Sequence, residues 1–392
     1  MMSRIYYGTG VQPATRGDVD MLALVNSLPP IAGHWYFVDP TSGSDGSSGE
    51  SPDEMLASIS SAYTRCVSGA GDGICLVSRG TGTSSQTTSY LTQELLWTKS
   101  GITVYGVCAP IHISPRSRIA NKTITTTAAM TVAAGALTTL TRATGSFITD
   151  GWEAGMKLTL AGDQTTSHTV SSVAALSMVV ATDMVASAAG ITSATSYCAN
   201  LITISGQNNS FYNVSFWNGG ANVNELGGAT ITGERNYFKN CHIMGSAGVA
   251  SASAKSLYLN AGSECLFEGC TIGTDTVDRG NNACAEITLA GLANRNRFID
   301  CEVLFRIDSG TAACAVRSVG TTSSSGAAFV NTVFNATFGA ATPAALHIVT
   351  TNAADIVTMG CVAFNFTAWG AQIFVANAAS AAAAGGLLAT KA

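Results

Sequence analysis

The sequence predicts an all-β fold: a single-stranded parallel β-helix with an N-terminal capping helix and a small β-barrel or sandwich inserted in one coil. Three observations predict it. The first is a ladder over residues 201–367. It reads Phe211-Tyr-Asn-Val214-Ser-Phe216, Phe238-Lys-Asn-Cys241-His-Ile243, Phe267-Glu-Gly-Cys270-Thr-Ile272, Phe298-Ile-Asp-Cys301-Glu-Val303 and Phe329-Val-Asn-Thr332-Val-Phe334. A last copy, Thr358-Met-Gly-Cys361-Val-Ala363, lacks the Phe. The copies recur every 27–31 residues, the period of coils that bury their apolar faces only by stacking. The second is a ladder of glycines in register with the first: Gly206, Gly233, Gly262, Gly291 and Gly320, each closing an apolar run. The third is period-two alternation inside every copy, which makes the repeated element a strand.

Composition narrows the function. Charged residues are 11% of the chain, against about 25% in ordinary soluble domains. A formal net charge of −5 without a Lys/Arg cluster argues against nucleic-acid binding. No run reaches the roughly 18 apolar residues of a membrane helix. Met1-Met2-Ser3-Arg4-Ile5-Tyr6-Tyr7 holds no apolar signal core, which predicts synthesis in a cytosol. Of the 11 cysteines, Cys241, Cys270, Cys301 and Cys361 share one repeat position with Val214 and Thr332. A position that accepts Val, Cys and Thr asks for a small buried side chain, so reduced core thiols are expected rather than disulfides. Equivalent positions on successive coils form a line, not a tetrahedral metal site. No cofactor and no metal is expected.

In chain order, residues 1–33 read as an arm, with one short helical piece whose Leu22 and Val25 are candidate anchors on a partner. Residues 34–116 read as the entry of the coil stack. His34-Trp-Tyr-Phe-Val-Asp-Pro40 runs into an Asp/Ser/Gly turn, where Asx-turns account for Asp39 and Asp45 more simply than calcium does. Ser51, Pro52 and Glu54 make a capping box, predicting a helix over 52–67 with Met55, Leu56, Ile59, Ala62, Tyr63 and Cys66 on its apolar side. Gly73-Ile-Cys-Leu-Val77 follows as a buried strand.

Here the sequence takes on a family likeness. An aromatic-Val-Asp-Pro turn, Gly-Ser-Asp, Gly-x-Ser-Pro, a capped helix and a Gly-Asp-Gly-Ile-Cys-Leu-Val strand resemble the entry of right-handed parallel β-helices of the pectin-lyase type, above all those of tailed-phage virion proteins. The resemblance implies a right-handed coil and a virion role, with the helix plugging the open end of the stack.

Residues 117–198 change character: short alternating stretches such as Met156-Lys-Leu-Thr-Leu160 are broken by Asp-Gly and Gly turns, predicting the inserted β domain. Its Gly-Ser-Phe…Asp-Gly-Trp…Gly-Met pattern is similar to small modules in other phage structural proteins. The coils occupy 199–370, and 371–392 is an Ala-rich tail, read as a capping helix or a mobile end.

Alternation places Lys239, His242, Glu268, Thr271, Ile299, Glu302, Val330, Val333, Met359 and Val362 on the outside of the coils. Glu268 and Glu302 are the best carboxylate candidates for glycan hydrolysis, but they fall in different columns, and Arg295, Arg297 and Arg306 are expected to neutralise them. No Ser-His-Asp order, HExxH or phosphate loop is present, and the five histidines are scattered. No catalytic residue is assigned, and the chain is expected not to be an enzyme. The outward positions lose charge toward the C-terminus, so Val330, Val333, Met359 and Val362 are candidate interface residues of a homotrimer. The expected function is a virion protein of a tailed phage: a trimeric capsid decoration or cement protein bound to the major capsid protein. The alternative is a receptor-binding tailspike that binds a host surface glycan, with or without cleaving it; an aromatic, acid-lined groove on the shaft would favour it. A secreted polysaccharide lyase is the third reading, against which the missing signal core counts.

Overall fold

The computed structural model describes residues 28–375 and 387–389, apart from 79–87, 109–114, 116, 134–137, 163–166, 182–189, 221, 223, 246–252, 280–283, 308–312, 320–326, 339–344, 350–355, 367 and 370–372. The candidate anchors Leu22 and Val25 lie outside the described residues.

The chain is a right-handed, single-stranded parallel β-helix with three sheets of 10, 9 and 7 strands, here called A, B and C. One coil shows the rule. Asn200–Ile204 lies in sheet C, Ser210–Tyr212 in sheet A and Ser215–Trp217 in sheet B, and Gly227–Ile231 returns to sheet C one level up. Each strand pairs in parallel with its counterparts above and below, with Phe211 opposite Phe238 and Phe238 opposite Phe267.

Each corner has its own backbone solution. Sheet A passes to sheet B through one left-handed residue: Asn213, Asn240, Gly269, Asp300, Asn331 or Gly360, with φ of 53°, 51°, 60°, 52°, 49° and 64°. Asn, Asp and Gly are the residues that tolerate this region best. Sheet C passes to sheet A through a second left-handed column, Asn208, Arg235, Glu264 and Arg295. Just after it lies a buried asparagine ladder. The Asn236 carboxamide oxygen accepts the Asn209 backbone N–H at 3.0 Å, and the Asn236 amide donates to the Gly206 carbonyl at 3.0 Å. Asn296 repeats this with the Cys265 N–H and the Gly262 carbonyl. The side chains thus satisfy corner groups that no strand can reach. The ladder was readable as Asn209-x-Phe211, Asn236-x-Phe238 and Asn296-x-Phe298.

Inside, Phe211, Phe238, Phe267, Phe298 and Phe329 stack with centroids 4.9, 4.8, 4.7 and 4.5 Å apart and planes within 10°. The 4.7–4.9 Å spacing of sheet strands imposes this distance. Next to the column, the thiols of Cys241, Cys270, Cys301 and Cys361 donate to the carbonyls of Phe211, Phe238, Phe267 and Phe329, one coil earlier. Thr332 does the same through its hydroxyl, to Phe298. The repeat position therefore suits a small side chain that can also donate across coils.

The helix is shorter than the capping box predicts. It spans Ile59–Arg65 with Ser58 as N-cap, not 52–67. Residues before it are held otherwise: the Asp45 carboxylate accepts the N–H groups of Ala57 and Ser58, the Glu54 carboxylate accepts from Ser48, and Leu56 bridges in parallel to Val38. Ile59, Ala62 and Tyr63 still face the core, and the Tyr63 ring lies 4.3 Å from Trp97, itself 5.4 Å from Phe211. The Lys99 ammonium closes the helix end by donating to the carbonyls of Tyr63, Thr64 and Cys66.

The insert is a closed, six-stranded antiparallel barrel running from Thr125–Ala133 to Ile191–Tyr197. It has its own core, including Met130, Leu140, Phe147, Trp152, Met156 and Leu158. It starts later than residue 117, because Arg118–Asn121 is a strand of sheet B. Of the Ala-rich tail, read as a capping helix or a mobile end, Ile373–Val375 extends sheet A and Leu387–Ala389 extends sheet B, adding a further partial coil; its remaining residues lie outside the described ones.

Candidate functional site

The outward residues fall in two columns, on either side of the left-handed corner. Lys239, Glu268, Ile299, Val330 and Met359 are successive partners on sheet A. His242, Thr271, Glu302, Val333 and Val362 are successive partners on sheet B. The interface candidates Val330 and Met359 thus face a different direction from Val333 and Val362, and only Met359 among the four is as much as 38% exposed. Glu268 and Glu302 likewise lie on different sheets and do not form a carboxylate pair.

The sheet A column changes character along the shaft. It begins with Tyr105 and Tyr212, continues through Lys239 and Glu268, and ends apolar. Tyr237 stands in the neighbouring column. Its ring lies edge-on to Tyr212, centroids 5.6 Å apart, and Tyr212 lies 5.9 Å from Tyr105. The Tyr237 hydroxyl donates to one Glu268 oxygen at 2.7 Å, and the Lys239 ammonium donates to the other at 2.6 Å. The Lys239 and Tyr237 hydrogen bonds hold the Glu268 carboxyl below its usual range, and Glu268 raises Lys239. Burial, then Glu268, pushes the Tyr237 phenol up. Three half-buried tyrosines thus stand beside a fixed carboxylate and ammonium, an arrangement of apolar ring faces with polar groups at their edge. Arg295, expected to neutralise this region, instead joins Arg235 on Glu264, at the C–A corner.

A second feature lies on the outer face of sheet B where the barrel leaves the coils. It is a cleft of about 240 Å³ lined by Thr88, Tyr90, Arg118, Ala120, Asn121, Thr123, Trp217, Gly219 and Gly220. The Arg118 guanidinium lies 3.9 Å from the Trp217 ring centre. Beneath it Glu225 is fully buried: Asn121 donates to one oxygen at 2.9 Å and the Asn222 N–H to the other at 3.1 Å. Burial pushes its carboxyl up to about 7, against the lowering effect of the Asn222, Cys198 and Asn121 donors. Asn121 ends the strand before the barrel and Cys198 follows it, so this carboxylate ties both stems of the insert. Sequence reading missed the cleft because its residues come from segments about 100 positions apart, outside the repeat. Among the described residues, no group of three or more His, Cys, Asp or Glu could hold a metal ion.

No family model matches the chain, and no curated protein matches it. Solved structures do. The pectin methylesterase PemA from Erwinia chrysanthemi is 14% identical over 90% of this chain and 92% of its own, with a TM-score of 0.46. The pectin methylesterase from Aspergillus niger is 13% identical over 93% and 92%, with a TM-score of 0.44. The tailspike protein gp49 from Pseudomonas phage LKA1 is 9% identical over 82% and 80%, with a TM-score of 0.17. The likeness reaches the fold alone. The esterases among these structures overturn the expectation that the chain is not an enzyme: its coil architecture is one that enzymes use, and that expectation is withdrawn.

Proposed function

We propose that the chain is the shaft of a virion protein of tailspike type that binds a bacterial surface polysaccharide along the outer face of sheet A. The observation that carries this reading is the tyrosine strip Tyr105–Tyr212–Tyr237 running into the Lys239–Glu268 pair. Aromatic faces at the spacing of successive coils suit an extended glycan, because each ring offers an apolar plate and the ion pair offers donors and acceptors. The resemblance of residues 34–110 to phage β-helix entries supports the virion role. A capsid-bound decoration protein is the second reading. The apolar end of the same column, Ile299, Val330 and Met359, favours it as a surface for trimer packing.

The test is binding of the whole chain to a panel of purified surface polysaccharides, followed by calorimetry on the best of them. Tyr212→Ala is expected to weaken that binding at least tenfold with the fold intact. Chromatography of the same mixtures reads any cleavage, and loss of cleavage in Glu268→Gln would assign that carboxylate a catalytic role. No binding to any polysaccharide, with labelled protein found on capsid faces rather than tail tips, would sink the tailspike reading.

A further inference from the structure

The cleft at the foot of the barrel is separate from the sheet A face, and its chemistry differs. Among the described residues, its lining holds one guanidinium and no carboxylate. The Glu225 carboxylate, bound to the lining residue Asn121, is fully buried. A Cβ on Gly220 would fall 1.9 Å from its oxygen, so only glycine lets the backbone close over it. Both Glu225 oxygens are engaged, by Asn121 and Asn222.

The remaining groups are donors. The Arg118 guanidinium lies over the Trp217 ring, 3.9 Å from its centre, which fixes where the group sits in the cleft. The Trp217 N–H is buried and has no hydrogen-bond partner among the described residues, and a Cβ on Gly219 would fall 2.7 Å from it. A buried donor left unsatisfied in a native fold calls for an acceptor that binds there. The Asn121 oxygen is already used by the Gly219 N–H at 2.7 Å. Its amide gives one hydrogen to Glu225 and retains a second. The Tyr90 ring, 45% exposed, forms an outer wall. The volume, about 240 Å³, is below the ~300 Å³ where drug-sized sites begin, and suits one sugar ring or a smaller group.

We propose that this cleft binds an oxyanion borne on a small polar molecule, the carboxylate of an acidic sugar or a phosphate ester, with Arg118, the Trp217 N–H and the Asn121 amide as its donors. A planar guanidinium suits either group, because its paired N–H bonds match two oxygens at once. The inference does not depend on the polysaccharide reading, which rests on another sheet and other residues.

Calorimetry with the full chain tests it, using glucuronate, glucose 6-phosphate, inorganic phosphate and glucose as probes. One of the charged sugars is expected to bind at least tenfold more tightly than glucose. A preference for glucuronate assigns a carboxylate ligand. A preference for glucose 6-phosphate, with inorganic phosphate competing, assigns a phosphate ester. Arg118→Met is expected to abolish the preference over glucose, and Arg118→Lys to keep only part of it, because the charge stays and the fork is lost. Should Arg118→Met fail to fold, the wild-type chain still decides. Its indole N–H resonance from Trp217, assigned by its absence in Trp217→Phe, is expected to shift with the charged probe and not with glucose. Equal binding of glucose, no binding of either charged sugar, or an unmoved Trp217 resonance overturns the proposal.

Discussion

At the scale of single residues, Glu225 carries the clearest consequence. Its carboxyl is fully buried, and burial outweighs three donors, lifting it from 4.5 to about 7. The folded chain therefore holds this proton more tightly than the unfolded chain does. The contribution to stability is full below pH 4.5, falls as pH rises toward about 7, and is constant above. The span corresponds to about 3 kcal/mol at most. Chemical denaturation from pH 4 to 8 is expected to show this decline, and Glu225→Gln to flatten it; an unchanged slope in that variant would refute the assignment. Nothing in the sequence marks Glu225, since its raised pKa comes from burial, which only the folded arrangement of distant segments creates. The left-handed corner is the opposite case. Asn213, Asn240, Asp300 and Asn331 stand in the sequence just before the core position, and their chemistry is that of a turn.

At the scale of elements, the phenylalanine column and the capping helix divide along the same line. Phe211 to Phe329 could be placed from spacing alone because every copy meets the same neighbours, so the local pattern repeats the global one. Replacing Phe267, in the middle of the column, with Ala removes a ring stacked on both sides, at 4.8 and 4.7 Å. The expected loss is about 3–5 kcal/mol, read as a lower denaturation midpoint. Phe298→Leu, which keeps more volume but breaks the stack, is expected to cost less. The helix boundary could not be read in this way. The capping-box residues Ser51 and Glu54 have the right types and spacing, but Asp45 and Ser48, upstream of both, hold the segment by longer-range contacts. A cap motif reports local preference, and here tertiary hydrogen bonds decide.

At the scale of the whole molecule, the coils and the barrel carry separate hydrophobic cores. The barrel core is a cluster of its own, distinct from the core of the coils. Replacing residues 124–196 by a short Gly/Ser linker is expected to leave the β-helix folded, with its β circular dichroism signal and a cooperative transition, because Asn121, Cys198, Asn222 and Glu225, which join the two stems, all lie outside the replaced segment. A chain that no longer folds would mean that the coils need the barrel. The outer face of sheet A also has a direction that was only half legible. The loss of charge toward Val330 and Met359 could be read from the repeat. Tyr105 and Tyr237 could not, because one precedes the ladder and the other sits in a neighbouring column. The strand arrangement has a mechanical result as well. Strands run across the shaft, so their hydrogen bonds and the ring stacks lie along it. Compression presses coil on coil against closely packed rings. Tension along the shaft loads each coil boundary in series, and the chain is expected to give way one turn at a time, each release paying out about thirty residues. A shaft built this way resists being pushed far better than being pulled.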